Sequence, residues 1–211
     1  MSKSIYESTI WDGKQIKLAI LVPTRDNVHS HFAFCLAELI KTLQETGINS
    51  NLFFDSSTIL LNQRENLIKK AQQINADYVL WLDSDMMFPS TIVNRLLAHN
   101  KDIVACNYMK RSKPLRTVAY TDINDWDSWL MIKEQNDLVE VQGVGMGCML
   151  MKTDIFNKLS KPYFEFEYKN ETEDWLGEDF SLQGKLRDLE YKIYIDTVLS
   201  MEIRHVGIYA Y

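Results

Sequence analysis

Tyr78-Val79-Leu80-Trp81-Leu82-Asp83-Ser84-Asp85-Met86-Met87-Phe88-Pro89 places five apolar or aromatic residues in a row directly before two carboxylates one residue apart. The run is too short for a helix to be its natural reading, and it fits a strand covered on both faces. Pro89, with Ser90 and Thr91 behind it, opens a helix, proline being tolerated in a first turn. Asp83 and Asp85 therefore belong at the carboxyl end of a central strand, where open α/β sheets place their ligands. Two carboxylates there repel, and burying them is costly unless positive charge arrives. A divalent metal with a phosphate-bearing ligand would answer that need. The plainer alternative is that both merely cap the next helix. A second copy, Asp125-Trp126-Asp127, lies in a polar stretch with no strand before it and reads as a solvated loop.

A length of 211 residues fits one domain, 1–211, with room for a substantial core. It also suits the N-terminal module of a longer protein. A net charge of −6 argues against nucleic acid or an anionic membrane as the main partner. No apolar run approaches the ~20 residues of a membrane span, and the opening MSKSIYESTIWDGKQ lacks an apolar signal core. Cys35, Cys106 and Cys148 sit in apolar surroundings without metal spacing, as reduced thiols of a cytoplasmic protein would.

Outward from the central strand, Lys17–Val22 reads as a first buried strand, closed by Pro23-Thr24-Arg25-Asp26. That loop has neither the glycines of a dinucleotide fold nor a Walker lysine. Residues 32–46 have helical spacing, ended by Gly47. A second strand, 50–54, ends in Asp55-Ser56-Ser57, and a helix follows over Asn62–Ile74. Arg64 lies in its first turn, against the helix dipole, so it is either placed for a ligand or paired with a nearby acid. A helix over 90–99 and a strand over 102–106 complete short strand–helix units, which predict a parallel sheet with right-handed crossovers.

From Asn107 to Glu140 the alternation at Thr117–Tyr120 and Trp129–Ile132 suggests an antiparallel excursion, with Lys110, Arg111, Lys113 and Arg116 as a basic cluster. The cluster suits phosphate contacts or simple solvation. Gly143, Gly145 and Gly147 let a backbone pass close to a ligand or strand. A short helix over 153–159 is followed by 161–174, read as a mobile loop over a site. Glu178 and Asp179 open a helix, a favourable position for acids. Tyr191–Asp196 and Val198–Ile203 read as closing strands, and His205 ends the last of them.

The ordered set resembles a GT-A fold glycosyltransferase, close in pattern to the inverting family 2 type. It runs through Pro23-Thr24-Arg25, Asp55, Arg64, Asp83-Ser84-Asp85, the glycines 143–147, Gly177-Glu178-Asp179 and His205. The resemblance implies a mostly parallel central sheet flanked by helices, and a nucleotide-sugar donor, a UDP- or GDP-sugar, bound across its first half. Pro23, Thr24, Arg25 and Asp55 would hold nucleobase and ribose with Arg64 assisting, alongside Ser84. Asp85, Asp83 and His205 would organise Mn²⁺ or Mg²⁺ on the diphosphate. Gly145 and Gly147 would line the sugar pocket, and Asp179, beside Glu178, would serve as general base toward a glycan or glycoprotein acceptor. Arg25-Asp26 stands where Tyr-Asn is commoner in the family, which leaves the donor nucleotide open. Similar compact chains occur in phages and large DNA viruses, for which the compartment would be the host cytoplasm.

The chemistry agrees with that set. Breaking a glycosyl–phosphate bond builds positive charge on the sugar and negative charge on the leaving diphosphate. A metal ion can stabilise the latter, and an imidazole among oxygen ligands tilts the choice toward Mn²⁺. Direct attack assisted by Asp179 would invert the anomeric centre, while a histidine-completed metal site also occurs in retaining GT-A enzymes. A nucleotidyltransferase should carry a glycine-rich basic loop after strand one, which Pro23-Thr24-Arg25-Asp26 is not. A non-catalytic nucleotide-sugar-binding module with the same fold is the other alternative.

Overall fold

The computed structural model describes residues 10–11, 14–132, 138–169 and 173–207. Seven strands form the main sheet: β1 (Lys17–Pro23), β2 (Asn49–Asp55), β3 (Tyr78–Leu82), β4 (Ile103–Ala105), β5 (Leu138–Val141), β6 (Cys148–Lys152) and β7 (Ile193–Asp196). Their order is β2-β1-β3-β6-β4-β7-β5. β1 is parallel to both β2 and β3, and β7 is parallel to β4. β6 runs antiparallel between β3 and β4, and β5 is antiparallel on the outer edge. The result is a mixed α/β fold with a mostly parallel central sheet, whose strands β1, β2 and β3 point their carboxyl ends to the same edge.

Burial explains why the central strands read so plainly. Leu18–Val22 of β1 and Tyr78–Leu82 of β3 are all at most 3% exposed, because helices cover both faces of a sheet built by crossover connections. The helices α1 (Ser30–Glu45) and α2 (Leu60–Gln73) make the crossovers from β1 to β2 and from β2 to β3. Phe32, Leu36, Leu39 and Leu43 form the buried stripe of α1, at the spacing of one helical face. Gly47 follows α1 with φ of +73°, a left-handed conformation that glycine adopts without strain. Further on lie α3 (Ile92–Ala98), α4 (Glu178–Asp188) and the short α5 (Thr197–Ser200).

Several local expectations change. Val198–Ile203 is not a strand: Asp196 Oδ1 accepts the Leu199 N–H at 2.7 Å and caps α5, so the apolar run turns helical and the strand is confined to Arg204–His205. The loop expected over 161–174 contains an antiparallel ribbon, Glu167–Lys169 against Asp174–Leu176; residues 170–172 lie outside the described residues. The antiparallel excursion is present, but Ala119–Tyr120 pairs with Gly143–Val144, and Trp129 pairs with Tyr120 through an isolated bridge. Residues 133–137 of that excursion also lie outside the described residues.

The core tests the reading of β3 as the sheet's centre. Leu80 is fully buried and lies in the middle of β3, before the carboxylate turn, so Leu80→Ala should cost about 2–5 kcal/mol through lost burial and the cavity left behind. A urea titration should show the midpoint falling at unchanged slope. A midpoint within error of the parent would place Leu80 outside the cooperative core.

Candidate active site

Where β1, β2 and β3 end, their loops border one cavity of about 590 Å³. The first loop supplies Pro23, Thr24, Arg25 and Asn27, and α2 supplies Gln63 and Arg64. Asp83, Ser84 and Asp85 follow β3, while Glu178 and Asp179 come from the start of α4. His205 arrives from the far end of the chain. Arg204–His205 pairs antiparallel with Met86–Met87, and the Val206 N–H donates to the Asp85 carbonyl at 2.8 Å. The last strand is thus sewn directly onto the Asp-Ser-Asp turn.

Arg64 is the electrostatic centre. Its side chain is 4% exposed, its Nε donates to Glu178 Oε1 at 3.1 Å, and its Nη2 lies 3.7 Å from Asp83 Oδ1. Burial opposes its charge, but Asp83, Glu178 and Asp179 together raise its pKa above the ordinary arginine range. The guanidinium carbon lies 5.2 Å from the Trp81 ring centre and 5.9 Å from that of Phe164, so the core holds it from behind by cation–π contact. Its Nη1 is buried with no hydrogen-bond partner among the described residues. With α2 beginning at Leu60, two residues before the expected start, Arg64 sits just past the first turn, and it is a buried cation paired with the site's own acids.

The carboxylates differ in environment. Burial raises the pKa of Asp83, with Arg64 opposing and Asp85 adding to the rise. Asp85 is lowered: burial works against its charge, but His205 and Arg111 more than offset it. Arg111 Nη1 sits 2.8 Å from Asp85 Oδ2, and His205 Nε2 sits 3.4 Å from Asp85 Oδ1. Asp179 is pushed up to about 7, by burial first and by Glu178 second, with Arg64 pulling the other way. Its Oδ1 accepts the Phe180 N–H at 2.9 Å.

Three expected residues stand apart from the cavity wall. Asp55 turns back to accept the Ser57 N–H at 3.1 Å and lies 3.7 Å from Lys70 Nζ. Gly145 and Gly147 make room for Tyr108: a Cβ at either position would come within 2.7 Å of the Tyr108 hydroxyl. That hydroxyl accepts the Gly147 N–H at 2.9 Å, and the Tyr108 ring meets His205 edge-on at 5.4 Å. The glycines thus position a buried tyrosine that braces His205. Tyr108, Gln63 and Arg111 went unmarked as individual site residues in the sequence. Gln63 Nε2 donates to the Thr24 carbonyl at 2.8 Å, and only the pattern of a polar residue on the buried face of α2 could have signalled it.

Among the described residues no group of three or more His, Cys, Asp or Glu side chains is arranged to hold a metal ion. The donor chemistry nevertheless suits one, since Asp83, Asp85 and His205 offer oxygen and imidazole ligands at one cavity. Asp85 Oδ1, with His205 Nε2 at 3.4 Å, is buried without a hydrogen-bond partner among the described residues. In this conformation Arg111 supplies the cation at the other oxygen of Asp85.

A carboxyl whose folded pKa exceeds its unfolded value of about 4 stabilises the fold while protonated, and loses that contribution as pH rises toward about 7 for Asp179. Asp179→Asn should therefore flatten the decline in stability over that window and leave the variant more stable than the parent at about pH 8. Urea unfolding at both ends of the window measures this. Parallel pH profiles for variant and parent would remove Asp179 as the perturbed group.

Residues 59–131, about a third of the chain, match the family model described as Anp1; the match runs from the start of α2 past the Asp-Ser-Asp turn and on through Arg111 to residue 131. No curated protein matches the chain. Among solved structures, the crystal structure of A197 from STIV is 19% identical with a TM-score of 0.56, covering 92% of this chain and 86% of that one. That likeness extends over nearly the whole fold. A glycosyltransferase involved in glycosylation of the major capsid of PBCV-1 matches at 13% identity and a TM-score of 0.40, covering 67% of this chain and 62% of that one.

Proposed function

We propose that this protein is a glycosyltransferase that moves a sugar from a nucleoside diphosphate donor to an acceptor hydroxyl. The observation that carries the reading is the convergence of Asp85, Asp83, His205, Arg64 and Asp179 on one cavity at the carboxyl edge of the sheet. Four separate segments have to meet for that, and the Val206–Asp85 hydrogen bond makes the most distant of them meet directly. The match of residues 59–131 to the Anp1 model supports the same assignment.

The donor's base and ribose would lie along Pro23, Thr24 and Arg25, with its diphosphate toward Asp85 and His205. Asp83, Asp85 and His205 would hold Mn²⁺ or Mg²⁺, which when bound would neutralise charge on the leaving diphosphate. Arg111, already at the cavity and carrying a fixed positive charge, would pass from Asp85 to a phosphate oxygen. Asp179 is better suited than Glu178 to take the acceptor's proton. Glu178 is committed to Arg64 at 3.1 Å, whereas Asp179 titrates near about 7, where a base works best at neutral pH. A base acting on the incoming hydroxyl gives direct displacement and inversion at the anomeric carbon.

Calorimetry with UDP and GDP in the presence of Mn²⁺, followed by donor turnover, tests the reading. Asp85→Ala should abolish metal-dependent nucleotide binding. Asp179→Asn should keep that binding and lower transfer by roughly 10²–10⁴-fold. Full transfer by Asp179→Asn would end its role as base, and absence of nucleotide binding by the parent would end the donor assignment.

Arg111 gives an independent check. Its pair with Asp85 is partly exposed, 46% on the arginine side, and such pairs contribute up to about 1 kcal/mol. Arg111→Ala should therefore tighten Mn²⁺ binding to the nucleotide-free protein by up to roughly fivefold. Weaker binding would show that Arg111 does not compete for Asp85.

A further inference from the structure

Beyond the carboxylate cavity lies a second recess of about 290 Å³, lined by Ile123, Asn124 and Trp126 from one loop and Lys169, Asp174, Trp175 and Leu176 from the ribbon. Its aromatic walls are unusually open. Trp175 is 63% exposed and Trp126 37% exposed. Tyr168, 46% exposed, meets the Trp175 ring edge-on at 5.2 Å across the ribbon. What sets these rings apart from a singly exposed aromatic is their gathering into one recess with polar residues on its rim, the pattern of an interaction site.

We propose that this recess binds the acceptor saccharide by stacking on Trp175 and Trp126. The proposal rests on the reading of the neighbouring cavity as the place of sugar transfer. A pyranose ring has one face of C–H groups and a rim of hydroxyls, so it needs a flat aromatic surface beside hydrogen-bonding groups. Trp175 and Trp126 provide the surface, and Asn124, Asp174 and Lys169 stand at the edge. Asn124 Nδ2 now donates to Asp122 at 3.2 Å, Lys169 pairs with Glu167 at 2.5 Å and Asp174 Oδ1 accepts the Trp175 N–H at 2.7 Å, so a sugar hydroxyl would share or exchange these partners. A volume at the low end of small-molecule sites, roughly 300–1,000 Å³, suits a short saccharide. A protein partner would need a contiguous patch of about 800 Å², whereas the open aromatic surface here is concentrated in one recess with charged groups on its rim.

The recess is tied mechanically to the proposed chemistry. Its floor, Leu176, clusters with Tyr120 and Phe180, and Phe180 directly follows Asp179. Trp126 packs edge-on against Phe180 at 5.7 Å and against Tyr120 at 5.0 Å. One continuous segment, 174–180, therefore carries both the aromatic wall and the two carboxylates of α4. A sugar stacked on Trp175 would therefore lie three residues along the chain from Glu178.

The test uses immobilised oligosaccharides ending in mannose, glucose, galactose or N-acetylglucosamine, with calorimetry on any that is captured. Trp175→Ala, Trp175→Phe, Trp126→Ala and Phe34→Ala would be compared with the parent, Phe34 being an exposed aromatic on α1. The expected result is capture of at least one oligosaccharide, weakened at least tenfold by Trp175→Ala and Trp126→Ala, largely kept by Trp175→Phe and unchanged by Phe34→Ala. Binding of UDP or GDP with Mn²⁺ should be the same in all five proteins. Nucleotide binding without capture of any oligosaccharide would overturn the recess while leaving the donor assignment standing. Equal capture by Trp175→Ala and the parent would also overturn it. So would capture of unglycosylated peptides that Trp175→Ala abolishes, because the partner would then be protein. Oligosaccharide capture without nucleotide binding would uphold the recess and defeat the donor assignment instead.

Discussion

Four carboxyl groups, Asp83, Asp85, Glu178 and Asp179, meet at the end of a buried sheet, and one buried guanidinium makes that tolerable. Removing a paired buried charge is more damaging than never having had it, because its partners are left uncompensated. Arg64 holds Glu178 and faces Asp83 from a position fixed by Trp81 and Phe164. The aromatic pair belongs to the core, so the position of the charge is set by the same packing that stabilises the sheet. Asp83 and Asp179 both remain raised even so, because burial disfavours their charged forms more than Arg64 restores them.

Asp85 is handled differently. It is balanced by groups that enter from elsewhere, Arg111 from the excursion after β4 and His205 from the last strand. Arg64 is locked in place, whereas Arg111 is half-exposed and can be exchanged. Asp83 and Glu178 thus face a locked cation and Asp85 an exchangeable one.

Much of this was legible in the sequence where burial leaves a pattern. β1 and β3 stood out because strands covered on both faces are continuously apolar, and the Asp-Ser-Asp turn followed from where β3 stops. Arg64 was marked by its clash with the helix dipole, although the direction of its partners was not. The strand at 198–203 was misread because the apolar run fits either period, and the Asp196 cap that decides it is a single hydrogen bond. Arg111 was visible only as one of four basic residues; nothing in its neighbourhood distinguished it from Lys110 or Lys113 until the chain brought it to Asp85. The glycines 145 and 147 were noticed for close approach, but the group that approaches is Tyr108, some forty residues earlier in the chain.

The Val206 N–H that closes on Asp85 has a consequence for the order of biosynthesis. A ribosome delivers the β3 turn early and Val206 more than a hundred residues later, so the first half of the sheet can collapse while its acidic corner is still unfinished. Until the closing strand docks, Asp85 lacks both His205 and the hydrogen bond to its carbonyl. A nascent chain stopped before that point would have β1 to β3 in place while its acidic turn still lacked the strand that closes it.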